Sequence, residues 1–443
     1  MVSSLAALSV AVLGALLTLA PVDAEHWAVI VAGSNGYSNY RHQSDACHAY
    51  HVVRRHGIPA ENVVLMMYDD LFNKPTTKNA SHADVQPVDV YKGCNIDFRG
   101  VEVTPETFLN VLTGNSSGAF NKKVLNSTSD DRVFINFIDH GLKQAMQTMH
   151  DKKMYKELVF YLEACESGSM FSDSFMKSIN AYVTTAANGF ESSWGAYCPP
   201  LDEVNGERIG SCLGDLYSIN WMEDSDLTDL SGETLKTQFH RVKNATTKSH
   251  VKSFGLSKLS HEIVGNYQST YDKSANGDES DSDDTEPLST TATHDTVESA
   301  VDARDVDLVV EFYRYLRAAP SKDRRGLADE LIATIQAREA ADEVFETIKA
   351  LFEQQTAAPL LQVEEPKNFE CHEEITRTFE TSCSFTGGIT SYSLKYVGTL
   401  MDICEASLSQ DELVSIVRKA CVVVENRHAV RNGVFNTNVA MLG

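Results

Sequence analysis

Two apolar runs dominate the middle of the chain. Val133 to Gly141 reads VFINFIDHG, and Leu158 to Gly168 reads LVFYLEACESG. Both are rich in β-formers and neither alternates apolar with polar residues. That pattern suits a strand covered on both faces, as in a parallel sheet flanked by helices. Each run then breaks off at a reactive side chain, His140 in the first and Cys165 in the second. Parallel strands gather their carboxyl ends on one edge of the sheet, where open α/β folds place their ligands. A thiol and an imidazole delivered to one edge form a nucleophile and its proton partner.

Further elements repeat the alternation. His26 to Ser34 reads as a first strand, and Ser44 or Asp45 as the cap of a helix running to Arg55. Asn62 to Asp69 reads as a second strand. Residues 71–130 are loop-rich, with one helix near Pro105 to Leu112. A helix from Leu142 to Tyr155 joins the His and Cys strands, and Asn180 to Asn188 is another strand. Helix is expected from Thr234 to Lys248. Strands alternating with helices predict an α/β fold with a mainly parallel sheet. Cys198 and Cys212 bracket a short loop and read as a local disulfide. From Val306 onward the period is helical, with segments at Leu308–Leu316, Gly326–Ala337, Ala340–Gln354, Phe369–Thr381, Thr390–Ala406 and Gln410–Asn426, which predicts an all-α C-terminal domain.

Between these parts lies a polar stretch. Six of the nine residues from Asp278 to Glu286 are acidic, too polar to build a core. The expected organisation is a signal peptide at 1–24, a catalytic domain at 25–272, an acidic linker at 273–307 and a helical domain at 308–443. Leu5 to Ala20 is apolar and short for a membrane span, and Val22 and Ala24 suit cleavage after Ala24. That predicts entry to the secretory pathway, towards a lysosome or vacuole or the outside. Asn79, Asn115, Asn126 and Asn244 are then candidate glycosylation acceptors. The formal charge of −24 argues against nucleic acid or an anionic membrane as a partner. No later run is long and apolar enough to predict a membrane span.

The strings SNGYSNYRHQSDACHAY, FIDHG, FYLEACESGSM, TTAANGFESSWGAYC and GDLYSINWMEDSD are long and unusual. They resemble the legumain family of asparaginyl endopeptidases over nearly the whole chain, the helical domain included. The strand–His-Gly and strand–Ala-Cys pair is shared with caspases and gingipains, so the resemblance implies a caspase-like sheet. It implies Cys165 as nucleophile, His140 as proton donor to the leaving amine, Asn39 as the residue orienting that histidine, and Gly141 with Cys165 as backbone donors to an oxyanion. Arg41, His42, Glu163, Ser192, Ser193 and Asp215 match the pocket that grips an asparagine side chain. Such a pocket needs donors for the amide oxygen and acceptors for the NH₂. Taken alone, Arg41 and Asp215 read as surface ion-pair residues.

The same resemblance implies Cys371–Cys404 and Cys383–Cys421 disulfides and a pro-domain lying over the site. Expected partners are peptide and protein substrates, that pro-domain and cystatin-type inhibitors, with no cofactor and no metal. Cleavage is expected after Asn, with Asp accepted in acid, and Asn276, Asp302 and Asp305 are candidate activation sites. Cys47 matches a family cysteine and is expected as a buried thiol. Cys94 has no counterpart and is the expected odd one of the nine cysteines. Residues 310–443 hold 14 basic and 20 acidic side chains, so bulk attraction would not hold this lid down.

One departure stands out. Cys165 follows His140 by only 25 residues, where the family has a longer connection. The competing expectation is therefore a catalytically impaired pseudo-protease or a splice form.

Overall fold

A computed structural model describes residues 24–70, 89–138, 143–204, 206–270, 299–320, 322–363 and 367–431. Residues 1–23 of the expected signal peptide, Asn79, Asn276, His140 and Gly141 lie outside these residues. The strands are β1 (His26–Ala32), β2 (Val63–Met67), β3 (Arg132–Ile138), β4 (Glu157–Glu163), β5 (Ala181–Thr185), β6 (Trp194–Ala196), β7 (Glu203–Val204), β8 (Glu207–Arg208), β9 (Gly214–Asp215), β10 (Lys252–Gly255) and β11 (Val301–Asp302). Six of them form the main sheet in the order β10-β5-β4-β3-β1-β2, parallel except for β10 at one edge. The unbroken apolar runs are explained by cover on both faces.

Against one face pack α1 (Tyr40–Arg55), α5 (Leu216–Leu227) and α6 (Leu235–Ala245), with Val52, Val53, Trp221 and Val242 buried. Against the other lie α2 (Pro105–Leu112), α3 (Lys143–Asp151) and α4 (Asp173–Ser178), burying Phe108, Val111, Met146, Met149 and Met176. A short α7 (Gly265–Gln268) closes the domain. The abbreviated crossover between β3 and β4 is long enough: α3 seats two methionines on the sheet, and the strands pair in parallel register. The helix stops earlier than Tyr155 because Lys153 takes a left-handed conformation that turns the chain into β4.

The C-terminal helices are α8 (Val306–Arg317), α9 (Lys322–Thr356), α10 (Phe369–Ser382), α11 (Val397–Cys404) and α12 (Gln410–Arg431). Phe345, Ile348, Ile375, Phe379, Leu400, Ile403 and Val417 fill their core, and the Cys371–Cys404 and Cys383–Cys421 disulfides tie it. Two expected helices, Gly326–Ala337 and Ala340–Gln354, are one continuous α9, since neither Pro nor Gly separates them.

Three other expectations change. Cys47 and Cys94 are not thiols: they form a disulfide between α1 and the loop that follows β2. That loop is drawn over the helix by Asn95 donating to Tyr50 Oη and by Tyr91 donating to Asp69, which the pattern of residues could not show. With Cys198–Cys212 also formed, Cys165 is the free cysteine. Helix α1 starts at Tyr40, ahead of the expected Ser44 or Asp45 cap, and both of those side chains are buried within it. Finally, the end of the expected linker is ordered. Val301 and Asp302 pair antiparallel with Gly195 and Trp194, and α8 begins at Val306.

Candidate active site

In the register of β3 against β4, Ile138 lies opposite Glu163. His140 follows Ile138 by the same two residues by which Cys165 follows Glu163. Alongside, Ala32 at the end of β1 pairs with Ile138, and Gly33 donates to its carbonyl. The carboxyl ends of three neighbouring strands therefore meet at one edge. A cavity of about 360 Å³ opens there, lined by Ser34, Asn39, Arg41, His42, Glu163 and Cys165 among others.

Past β4 the chain must turn sharply. Glu166 takes a left-handed conformation, and its N–H donates to the Glu191 carbonyl. Gly168 packs so closely on Asn188 that a Cβ would come within 2.9 Å of backbone. The turn leaves Cys165 8 % exposed at the cavity wall. Ser193 N–H donates to its Sγ at 3.4 Å, and Ser193 Oγ lies 3.7 Å away. Burial pushes the thiol up, against the opposing pull of Arg304 and the Ser193 contacts.

The polar floor of the cavity comes from α1 and the end of β4, backed by β9. Arg41 Nε donates to Asp215 Oδ1 at 2.7 Å, and Arg41 Nη1 donates to the Ser38 carbonyl at 2.9 Å. Both partners are buried, so the reading of Arg41 and Asp215 as a surface ion pair is corrected. The pattern could not show this because β9 folds back on α1 from far along the chain. His42 bridges Ser34 Oγ on one side and Asp215 Oδ2, at 3.5 Å, on the other. Glu163 Oε2 accepts from both the N–H and the Oγ of Ser218 in the first turn of α5, at 3.0 Å each. Burial, and then the nearby Asp215, hold the Glu163 carboxyl well above its ordinary range. Asp215 is raised by burial too, although Arg41 opposes the rise. Asn39 lines the cavity, donates to the Asn35 carbonyl at 2.9 Å and accepts from Arg41 at 3.4 Å.

The remaining wall comes from the C-terminal part. Ala303, Arg304, Ile389, Thr390 and Leu394 line the same cavity as Cys165. Ala303 N–H donates to the Ser193 carbonyl at 3.0 Å, extending the strand pairing of β11. Arg304 Nη1 donates to Ser192 Oγ at 2.5 Å, and its guanidinium pairs with the Glu166 carboxylate. Arg338 of α9 holds this arginine from behind through its carbonyl, at 2.9 Å. Sequence reasoning missed Arg304, because it sits in a stretch that composition marks as linker. It also missed Asp45, which was read as a helix cap. Asn115, Asn126 and Asn244 are exposed and lie away from the cavity lining.

Residues 26–270 match the model of the Peptidase C13 family, and residues 329–421 match that of the legumain prodomain. The chain is 36 % identical over 423 residues to legumain of Mus musculus, covering 90 % of this chain and 93 % of that one. It is 35 % identical over 435 residues to the delta-isozyme of vacuolar-processing enzyme of Arabidopsis thaliana, covering 89 % and 90 %. Legumain of Homo sapiens is 36 % identical over 406 residues, covering 86 % and 89 %.

Proposed function

The chain belongs to the Peptidase C13 family, a cysteine-type endopeptidase with a legumain prodomain, and from that premise we propose that it cleaves peptide bonds after asparagine, and after aspartate in acid. The observation that carries the reading is the polar cavity beside the one free thiol among the described residues. Arg41 offers cationic donors to a side-chain carbonyl. Glu163 Oε1, buried and without a hydrogen-bond partner among the described residues, offers an acceptor to the NH₂. A substrate aspartate would place a second anion against this acceptor. Protonation of either carboxyl removes the repulsion, so acid should admit aspartate.

In this reading the Cys165 thiolate attacks the backbone carbonyl carbon of the bound asparagine. Gly141 and Cys165 N–H groups receive the oxyanion. His140, oriented by Asn39, protonates the leaving amine, and water then hydrolyses the thioester. The register of β3 on β4 supports the pairing of imidazole with thiol despite the short crossover. The family's position in the secretory route, with delivery to a lysosome or vacuole, and glycosylation at the exposed Asn115, Asn126 and Asn244 belong to the same proposal.

The intact chain is a zymogen whose C-terminal part walls the cleft. Incubation at about pH 4–5 should separate that part and release activity on a fluorogenic peptide containing Asn. A folded, lid-free protein that turns over no Asn peptide would defeat the proposal and leave a peptide-binding protein that does not cut.

A further inference from the structure

Behind Arg41 and Asp215 sits a third buried acid that the chemistry above does not use. Asp45, on α1 one turn after Arg41, is 0 % exposed. Its Oδ2 accepts the N–H of Asp215 at 2.8 Å. Its Oδ1 leaves no room for a side chain at position 214, where a Cβ would lie 2.7 Å away, which accounts for Gly214. Asp45 Oδ1 is buried without a hydrogen-bond partner among the described residues, and Asp215 Oδ2, equally buried, has only the His42 Nε2 contact at 3.5 Å. The charged and titratable groups around Asp45 are Asp215 from β9, Glu163 from the end of β4 and Arg41 from its own helix. Three acids thus face one guanidinium, with the His42 imidazole beside Asp215 Oδ2, and three anions there would be costly without water.

We propose that Asp45 is a specificity-determining positioning residue: its carboxyl carries a proton, donates it in a hydrogen bond to Asp215 Oδ2, and so keeps Asp215 the anion that aims Arg41 at the substrate amide. One proton gives Asp45 Oδ1 a partner, adds a donor to Asp215 Oδ2 beside His42, and removes one negative charge from behind the pocket. The sharing is unequal, because Asp215 has Arg41 to stabilise its charge and Asp45 has no such partner on its carboxylate. Burial and the neighbouring Asp215 favour the neutral form of Asp45. The negative charge beside the bound side chain is then one unit smaller than three ionised acids would give, which suits a neutral carboxamide.

This inference rests on the reading of the cavity as an asparagine-binding pocket, and its test separates the two. Asp45→Asn presents a permanent donor to Asp215 Oδ2 and an acceptor to Asp215 N–H. Asp45→Ala presents neither. With the acid-activated enzyme, Asp45→Ala should raise KM for an Asn peptide roughly 10- to 100-fold, the loss of a hydrogen bond to a charged group, while kcat changes little. Asp45→Asn should restore KM and leave the pH profile of kcat/KM unmoved. An infrared band of a protonated buried carboxyl, present in the intact protein and missing in Asp45→Asn, checks the proton without reference to turnover. An Asn variant as impaired as the Ala variant, a displaced pH profile, or no change in the infrared spectrum would overturn the proposal. Wild-type enzyme that shows this band yet cleaves no Asn peptide would instead refute the pocket reading.

Discussion

Helix α8 is clamped to the catalytic domain by one ion pair whose removal should be measurable at the nucleophile. Arg317 Nη2 donates to both carboxylate oxygens of Asp202, at 2.9 and 3.2 Å. Asp202 is fully buried and Arg317 about one-third exposed. Beside them, Val306 and Val310 pack on the Cys198–Cys212 disulfide. Stranding a fully buried carboxylate costs about 3–5 kcal/mol. Here the arginine is partly solvated and Asp202 keeps the Gly210 N–H, so about 1–2 kcal/mol is the appropriate loss on Arg317→Ala. That raises the undocked population about 5- to 30-fold. Every other cysteine among the described residues is in a disulfide, so a thiol-alkylating dye at neutral pH reports Cys165 alone. When closing outpaces labelling, the labelling rate follows the open population and should rise by the same factor. Circular dichroism establishes that the variant is folded. A folded Arg317→Ala protein labelled within about twofold of the wild-type rate would refute the claim that α8 docking gates the thiol.

Three more outcomes are expected. Arg41→Lys keeps the charge but cannot reproduce both the Asp215 and Ser38 contacts, so kcat/KM on an Asn peptide should fall at least about 100-fold with the fold intact. Burial, and then contact with Asp224, push Glu233 up to about 8, and Asp45 and Glu163 are raised too. Their stabilisation is complete below an unfolded value of about 4 and is lost as pH rises towards the folded one. The Tm of an inactive Cys165→Ser protein should therefore fall between about pH 5 and 8. Glu233→Gln should flatten that fall; an unchanged slope would count against Glu233 as a contributor. Replacing Cys47 and Cys94 by Ala and Ser opens a loop spanning 47 residues. Chain-entropy arguments then give about 4 kcal/mol, read by guanidinium unfolding.

The residues alone disclosed more of the architecture than of the site. Unbroken apolar runs at β1, β3, β4 and β5 declare a covered parallel sheet, because only burial on both faces tolerates them. That sheet also declares where its strand ends must meet, which is how His140 and Cys165 could be paired on paper. Helical period and four cysteines likewise announced the C-terminal bundle. Distance along the chain defeated the rest. Asp45 resembles a helix cap until β9 returns to place the Asp215 N–H on it. Cys94 looks odd until the loop after β2 doubles back over α1. Arg304 sits in a polar stretch until β11 adds to β6 and lays the guanidinium against Ser192. Local pattern reports what a residue can bury. Which buried partner it meets, and hence whether it is charged, is decided only when remote segments close on one another.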